Sequence, residues 1–252
     1  MKLVVPFAVA AICTTSVSAQ SKLGDWAQHS EERPKPPVVQ AGAVYTIAPP
    51  SDAVVLFSGS SLDRWTQGDG APATWRVADG TFQVVPSTGT LRTRESFGDV
   101  QLHIEWAAPN PPVGTGQDRG NSGVFFGDGR YEVQVLDSRN NDTYADGQAG
   151  ALYGQFPPMV NASRAPGEWQ TYDIVYHRPR FGADGALSAA ARLTVFHNGV
   201  LVQDNMELVG PTANRSRPPY TAHADRLPIT LQDHGHPVRF RNIWLRDLEP
   251  AK

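Results

Sequence analysis

The chain has 252 residues and a formal net charge of −3, with 22 Lys and Arg against 25 Asp and Glu. It carries no basic run, so a nucleic-acid backbone has no electrostatic partner, and no nucleic acid is expected. Its single cysteine, Cys13, lies in the opening segment, which excludes disulfides, thiolate catalysis and cysteine-bound metals from the rest.

Residues 1–19 read as a secretory signal. Lys2 supplies a positive charge, residues 3–12 an apolar run, and Val17-Ser18-Ala19 a small-x-small cleavage site. The apolar run is about ten residues, whereas a membrane-crossing helix needs roughly 20. Ile12 stands before Cys13 where a lipoprotein signal wants a small residue. No second long apolar stretch follows, so the pattern predicts export to a periplasm or beyond the cell, without a membrane span. Residues 20–51 carry Pro34, Pro36, Pro37, Pro49 and Pro50. They read either as an extended arm lying on the domain surface or as a disordered tail.

Residues 52–249 form one domain of short strands and turns. Ala78-Asp79-Gly80 joins two strand patterns, and Asn198-Gly199 joins two more; both are hairpin signals. Residues 100–106 alternate, with Val100, Leu102, Ile104 and Trp106 on one face and Gln101, His103 and Glu105 on the other, which predicts a half-solvated strand. In residues 238–245 the apolar parity switches between Phe240 and Ile243, predicting a bulge near Arg241-Asn242. Trp75, Trp106, Trp169 and Trp244 sit in strand patterns and are expected in the core, whereas Trp65, near a turn, is expected at the surface. No sustained 3.6-residue apolar period appears. The reading is all-β, a two-sheet sandwich or jelly roll.

The residues able to do chemistry gather in two places. In residues 120–137 (GNSGVFFGDGRYEVQVLD) the returning strand puts Tyr131, Val133 and Val135 on one face and Glu132 and Gln134 on the other. Asp137 joins Glu132 and Gln134 only if the strand bulges near Leu136. A carboxylate and an amide two residues apart can accept a proton from, and orient, a hydroxyl-rich ligand; they also fit an ordinary solvated strand face. In residues 231–236 (LQDHGH) a strand would project Gln232, His234 and His236 to one side, with Asp233 making a local hydrogen bond. Two imidazoles are too few for a zinc site. Arg119, beside the turn that carries Asn121, and Arg239 on the last strand are further ligand contacts. Asn140, Asn141, Asp142 and Asp146 offer oxygens to Ca²⁺, although their spacing is not that of an EF-hand loop. No cofactor is expected, and a divalent metal is left open.

Eight segments in order carry a resemblance: WRVADGTFQVVP (75–86), LRTRESFGDVQLHIEW (91–106), RGNSGVFF (119–126), RYEVQVLDS (130–138), DGQAGALYGQFPP (146–158), GEWQTYDI (167–174), HNGVLVQDN (197–205) and LQDHGHPVRFRNIWLR (231–246). Together they resemble the 3-keto-disaccharide hydrolase domain, formerly a domain of unknown function, over residues 52–248. The resemblance implies a concanavalin A-like lectin/glucanase jelly roll with saccharide bound on its concave sheet. It also implies cleavage of 3-keto-glycosides by proton abstraction at C2, elimination and hydration. On that chemistry Glu132 or His234 is the base and Asp137 a possible acid. Gln134, Gln232 and Arg119 bind hydroxyls or the enolate, with Asn121 and Arg239 as further saccharide contacts. Two other readings stay open. One is a lectin-like domain without catalysis. The other is an endoglucanase-type hydrolase, for which Glu132 and Asp137 are the candidate carboxylate pair. The partner in every case is a saccharide or glycoside, and the pattern carries no signal for an oligomeric state.

Overall fold

The computed structural model describes residues 22–249, so the segment read as a signal, with Cys13, lies outside the described residues. Two antiparallel sheets face each other as a jelly-roll β-sandwich. The smaller has five strands in the order Tyr131–Val135, Ser122–Phe126, Thr230–Leu231, Leu91–Thr93, Trp65–Gln67. The larger runs Val200–Glu207, Arg192–His197, Gln170–His177, Val100–Ala107, Arg239–Asp247, Thr81–Gln83, Arg76–Ala78, with Val54–Phe57 as its eighth strand, also on Arg239–Asp247. Helix is limited, among the described residues, to the 3₁₀ turns Gly116–Asp118 and Ala145–Gly147. No helix in this range is long and apolar enough to cross a membrane.

The period-2 alternation of the strands builds the core. Val124, Phe126, Tyr131, Val133 and Val135 meet Leu102, Ile104, Trp106, Tyr172, Ile174 and Tyr176 from the larger sheet. Phe126 stacks on Tyr176 at 4.5 Å between ring centres, and the Tyr172 hydroxyl donates to the Gln134 carbonyl at 2.6 Å. The hairpin turns follow their dipeptides: Asp79 and Gly80 have φ of 51° and 72°, Asn198 and Gly199 φ of 53° and 78°. Both pairs are the left-handed conformations that a two-residue turn between twisted strands requires. The last strand shifts register between Arg241 and Trp244, with Asn242 at φ 44°, which is the bulge that the parity switch predicts.

Three side-chain expectations are corrected. Trp65 is fully buried, its indole N–H donating to the Leu56 carbonyl at 3.0 Å. Trp169 is half-buried rather than core, with the Arg241 guanidinium 4.0 Å from its ring centre. On the polar face of Val100–Ala107, His103 and Glu105 are fully buried rather than solvated, and the arm lies against the neighbouring last strand. The Ile47 carbonyl accepts from Trp244 Nε1 at 3.1 Å and from Asn242 Nδ2 at 2.9 Å.

Under that cover Glu105 accepts from Arg241 Nε at 2.7 Å and Asn242 Nδ2 at 2.8 Å, with His103 Nε2 at 3.6 Å. His103 Nδ1 lies 2.7 Å from Asp173. Burial alone would raise the Glu105 pKa, but the close approach of His103 and the bonds from Asn242 and Arg241 outweigh it and hold the group at about 2. The depressed value means that this carboxylate stabilises the fold above its unfolded pKa of about 4.5 and ceases to do so as pH falls through about 2. Glu105→Ala is therefore expected to cost about 3 kcal/mol in urea unfolding at pH 7, as for a buried pair that loses one partner. The difference from the parent should shrink steadily as the pH is lowered from about 4.5 to about 2.

Candidate active site on the five-stranded sheet

The face of the five-stranded sheet that turns away from the core carries the site. The register aligns Glu132 with Phe125, Phe125 with Thr230, and Gln134 with Gly123 across neighbouring strands. Of these, Phe125, Glu132 and Gln134 border a cavity of about 250 Å³ that is also lined by Asn121, Tyr153, Thr212, Ala213, Asn214, Gln232 and His234.

Tyr131–Val135 is an edge strand, and its free hydrogen-bonding side is closed by loops. The Tyr153 N–H donates to the Glu132 carbonyl, and the Gln134 N–H to the Ala151 carbonyl at 3.0 Å. The Glu132 N–H donates to the Thr212 hydroxyl at 3.1 Å. This closure satisfies the edge, and the loops that provide it also wall the cavity. Glu132 and Gln134 are consequently only 5% and 1% exposed, although they stand on the outer face of the sheet.

Gln134 Nε2 donates to Asn121 Oδ1 at 3.1 Å, and Asn121 Nδ2 donates to the Gln117 carbonyl at 2.8 Å. Gln232 is anchored by its backbone: its N–H reaches the Gly123 carbonyl at 3.0 Å and its carbonyl accepts from Ser122 Oγ at 2.7 Å. Its side-chain oxygen is buried without a partner among the described residues, an acceptor open to a ligand hydroxyl. The Glu132 carboxyl likewise has no hydrogen bond or ion pair to another described residue, and burial pushes its pKa up to about 8. It lies over Gly123, where any Cβ would collide with it and with the Phe125 ring.

His234 stands exposed at the rim, on a loop rather than on a strand. The strand ends at Leu231 because the Asp233 carboxylate accepts from the Gly235 N–H at 2.9 Å and from the Gly89 N–H at 3.0 Å, which turns the chain. The His236 ring lies 5.9 Å from that of His234, and His236 Nε2 is 3.3 Å from Asp118 Oδ1.

The structure brings together Glu132, Gln134, Asn121, Gln232 and His234, and it places the other three candidates elsewhere. Arg119 Nε donates to Asp137 at 2.7 Å, and the same guanidinium reaches the carbonyls of Arg139 at 2.8 Å and Asn140 at 3.3 Å. Arg119 and Asp137 thus hold each other and the turn after the strand, and neither lines the cavity. Arg239 is on the larger sheet, bordering a separate groove with Gln83 and Glu168. Of the oxygens considered for Ca²⁺, those of Asn141 and Asp146 are engaged inside the protein, Asn141 bonding the Gly116 backbone and Asp146 accepting from His29, whereas Asp142 points to solvent. Among the described residues no cluster of three or more His, Cys, Asp or Glu side chains is arranged to hold a metal. Phe125, Tyr153 and the 212–214 loop are site residues without a signal in the sequence, apart from Phe125, whose strand parity matches that of Gly123.

A sandwich whose smaller sheet carries a small polar cavity, with the rings of Phe125 and Tyr153 and one carboxyl without a donor, fits a glycosyl hydrolase-like or carbohydrate-binding domain. The chain belongs to the family of the 3-keto-alpha-glucoside-1,2-lyase-like domain, which matches residues 52–246. A crystal structure of a "putative glycosyl hydrolase" from Parabacteroides distasonis ATCC 8503 is similar at 44% identity and a TM-score of 0.78, covering 86% of this chain and 93% of that one. Two further structures described in the same words from that organism share the fold. They show 22% identity with TM-score 0.58 (78% and 99% covered) and 19% with 0.57 (79% and 94%). No curated protein matches the chain.

The raised pKa fixes the sign of a stability effect. The folded protein keeps a proton on Glu132 that the unfolded chain releases near pH 4.5, so this group lowers stability progressively between about 4.5 and 8. Glu132→Gln is expected to raise the melting temperature at pH 8, with a gain of at most about 4 kcal/mol. The gain should vanish below about pH 4.5 when melting is followed across the pH range.

Proposed function

We propose that this protein cleaves glycosides already oxidised to a ketone at C3, and that Glu132 is the base that takes the proton from C2. The reading rests chiefly on one observation: Glu132 is the single carboxyl among the residues lining the cavity, and no other described residue bonds it. Ordinary glycoside hydrolysis uses two carboxyl groups about 5 Å or more apart, and Asp137, the candidate second, is spent on Arg119. A C3 ketone acidifies the C2–H, so one base poised near the working pH is sufficient.

The electron pair from C2–H forms an enolate with C3. It then becomes the C1–C2 double bond as the C1–O bond breaks and the aglycone oxygen takes a proton. Water adds to C1 of the resulting enone. Gln134, Asn121 and Gln232 are assigned to the ring hydroxyls and the ketone oxygen, where amide donors offset developing charge. Phe125 offers its ring to the apolar face of the sugar. His234, exposed at the rim, stands on the side by which an aglycone leaves and is assigned its proton. The 1–19 signal supports export, and the exported protein is expected to begin at Gln20 on N-terminal sequencing.

Incubation with paired native and 3-keto-glucosides tests the reaction. The aglycone should be released from the ketone alone, and kcat/KM should rise with pH toward a plateau above about 8 as Glu132 ionises. Glu132→Gln should lower kcat about 10²–10⁴-fold. Cleavage of neither substrate would leave a saccharide-binding domain as the function.

A further inference from the structure

Residues 22–33 lie outside the stretch that matches the family, yet Gln28 and His29 pack against residues that wall the cavity. The chain turns back on itself there, Lys22–Leu23 pairing with Trp26–Ala27, and presents the next two residues to the domain. Gln28 is 1% exposed, and its Nε2 donates to the carbonyl of Ala213 at 2.6 Å. Ala213 lines the cavity. Gly154, with φ of 68°, leaves the slot that Gln28 enters, since a Cβ there would collide with the Gln28 amide.

His29 makes the second contact. Its N–H donates to Asp146 Oδ2 at 3.1 Å, and its Nδ1 lies 3.4 Å from Asp146 Oδ1. Asp146 is fully buried, and its carbonyl accepts from the Gly154 N–H at 2.8 Å. The His29 ring packs on Tyr144 at 4.1 Å and on Tyr153 at 5.1 Å between centres, and the two tyrosine hydroxyls are 2.9 Å apart. Tyr153 lines the cavity beside Glu132, and its N–H holds the Glu132 carbonyl.

We infer that Gln28 and His29 are positioning residues of the active site, holding the Tyr153 and Ala213 walls at the spacing that a sugar ring requires. Neither touches the cavity; each acts through a residue that does. The arm thus contributes to the site from outside residues 52–246. The inference deepens the proposed function and rests on the same cavity, so its test needs one readout that is independent of turnover.

Amide hydrogen exchange in residues 144–155 and 210–217 supplies that readout. It is compared in the full chain and in Gln28→Ala, His29→Ala and Tyr45→Phe, the last a control where the arm meets the larger sheet near Thr171 and Asp173. Exchange there should speed up about tenfold or more in the first two variants and stay unchanged in the control. KM for a 3-keto-glucoside should rise about tenfold in those two, with kcat changing much less, because a loosened wall misplaces substrate. Unchanged exchange in both segments for a folded Gln28→Ala would overturn the inference, as would equal effects of Tyr45→Phe. Should His29→Ala not fold, Gln28→Ala decides alone. Loss of protection without any turnover by the parent would uphold the arm's role and count against the 3-keto-glycoside reading only.

Discussion

Glu132 stands on an edge strand whose outward hydrogen-bonding groups are taken by residues 150–153 and by Thr212, and that closure removes its carboxyl from water. A buried carboxylate without a donor is costly, so the proton stays on to higher pH and the group titrates near about 8. The loops that satisfy the strand edge are also the cavity walls. One set of backbone bonds therefore fixes the sheet boundary, the pocket shape and the protonation of its carboxyl. A site that works by such a group gives up some stability for it, as is common where chemistry demands an unfavourable environment.

Glu105 shows what the same fold does with a carboxyl that it pairs. It too is buried on a strand face that alternation marks as polar, but Arg241, Asn242 and His103 converge on it, and its pKa falls to about 2. Both groups pay the desolvation penalty. What separates the two is the number of donors, and it makes one a structural anchor and the other a titrating group aimed at empty space. Arg119 and Asp137 belong with the first kind: each satisfies the other, and together they clamp the turn that ends the strand.

The arm brings structure from outside the family domain to both faces of the sandwich. Near its start Gln28 and His29 buttress the cavity; further on, the Ile47 carbonyl caps Trp244 and Asn242 on the larger sheet. The same segment seals the Glu105 network and braces the wall near Glu132. Proline-rich sequence suits this task, because an extended chain spans distance with few residues and loses little entropy when it docks.

Local pattern determined much of this protein. Alternation, the turn dipeptides Asp79-Gly80 and Asn198-Gly199, and the parity break at Arg241-Asn242 specify an all-β sandwich with a bulged last strand. They do so because side-chain period and turn conformation are properties of neighbouring residues. Alternation also put Glu132 and Gln134 on the face away from the core. Only the tertiary structure decided that this face is enclosed, that Asp137 is bound to Arg119, and that Arg239 is on the opposite sheet. It alone recruited Tyr153, Thr212, Ala213 and Asn214, and it set Gln28 against Ala213, 185 residues further along the chain. Burial and partnership depend on which distant loops close over a strand, and no short-range periodicity records that.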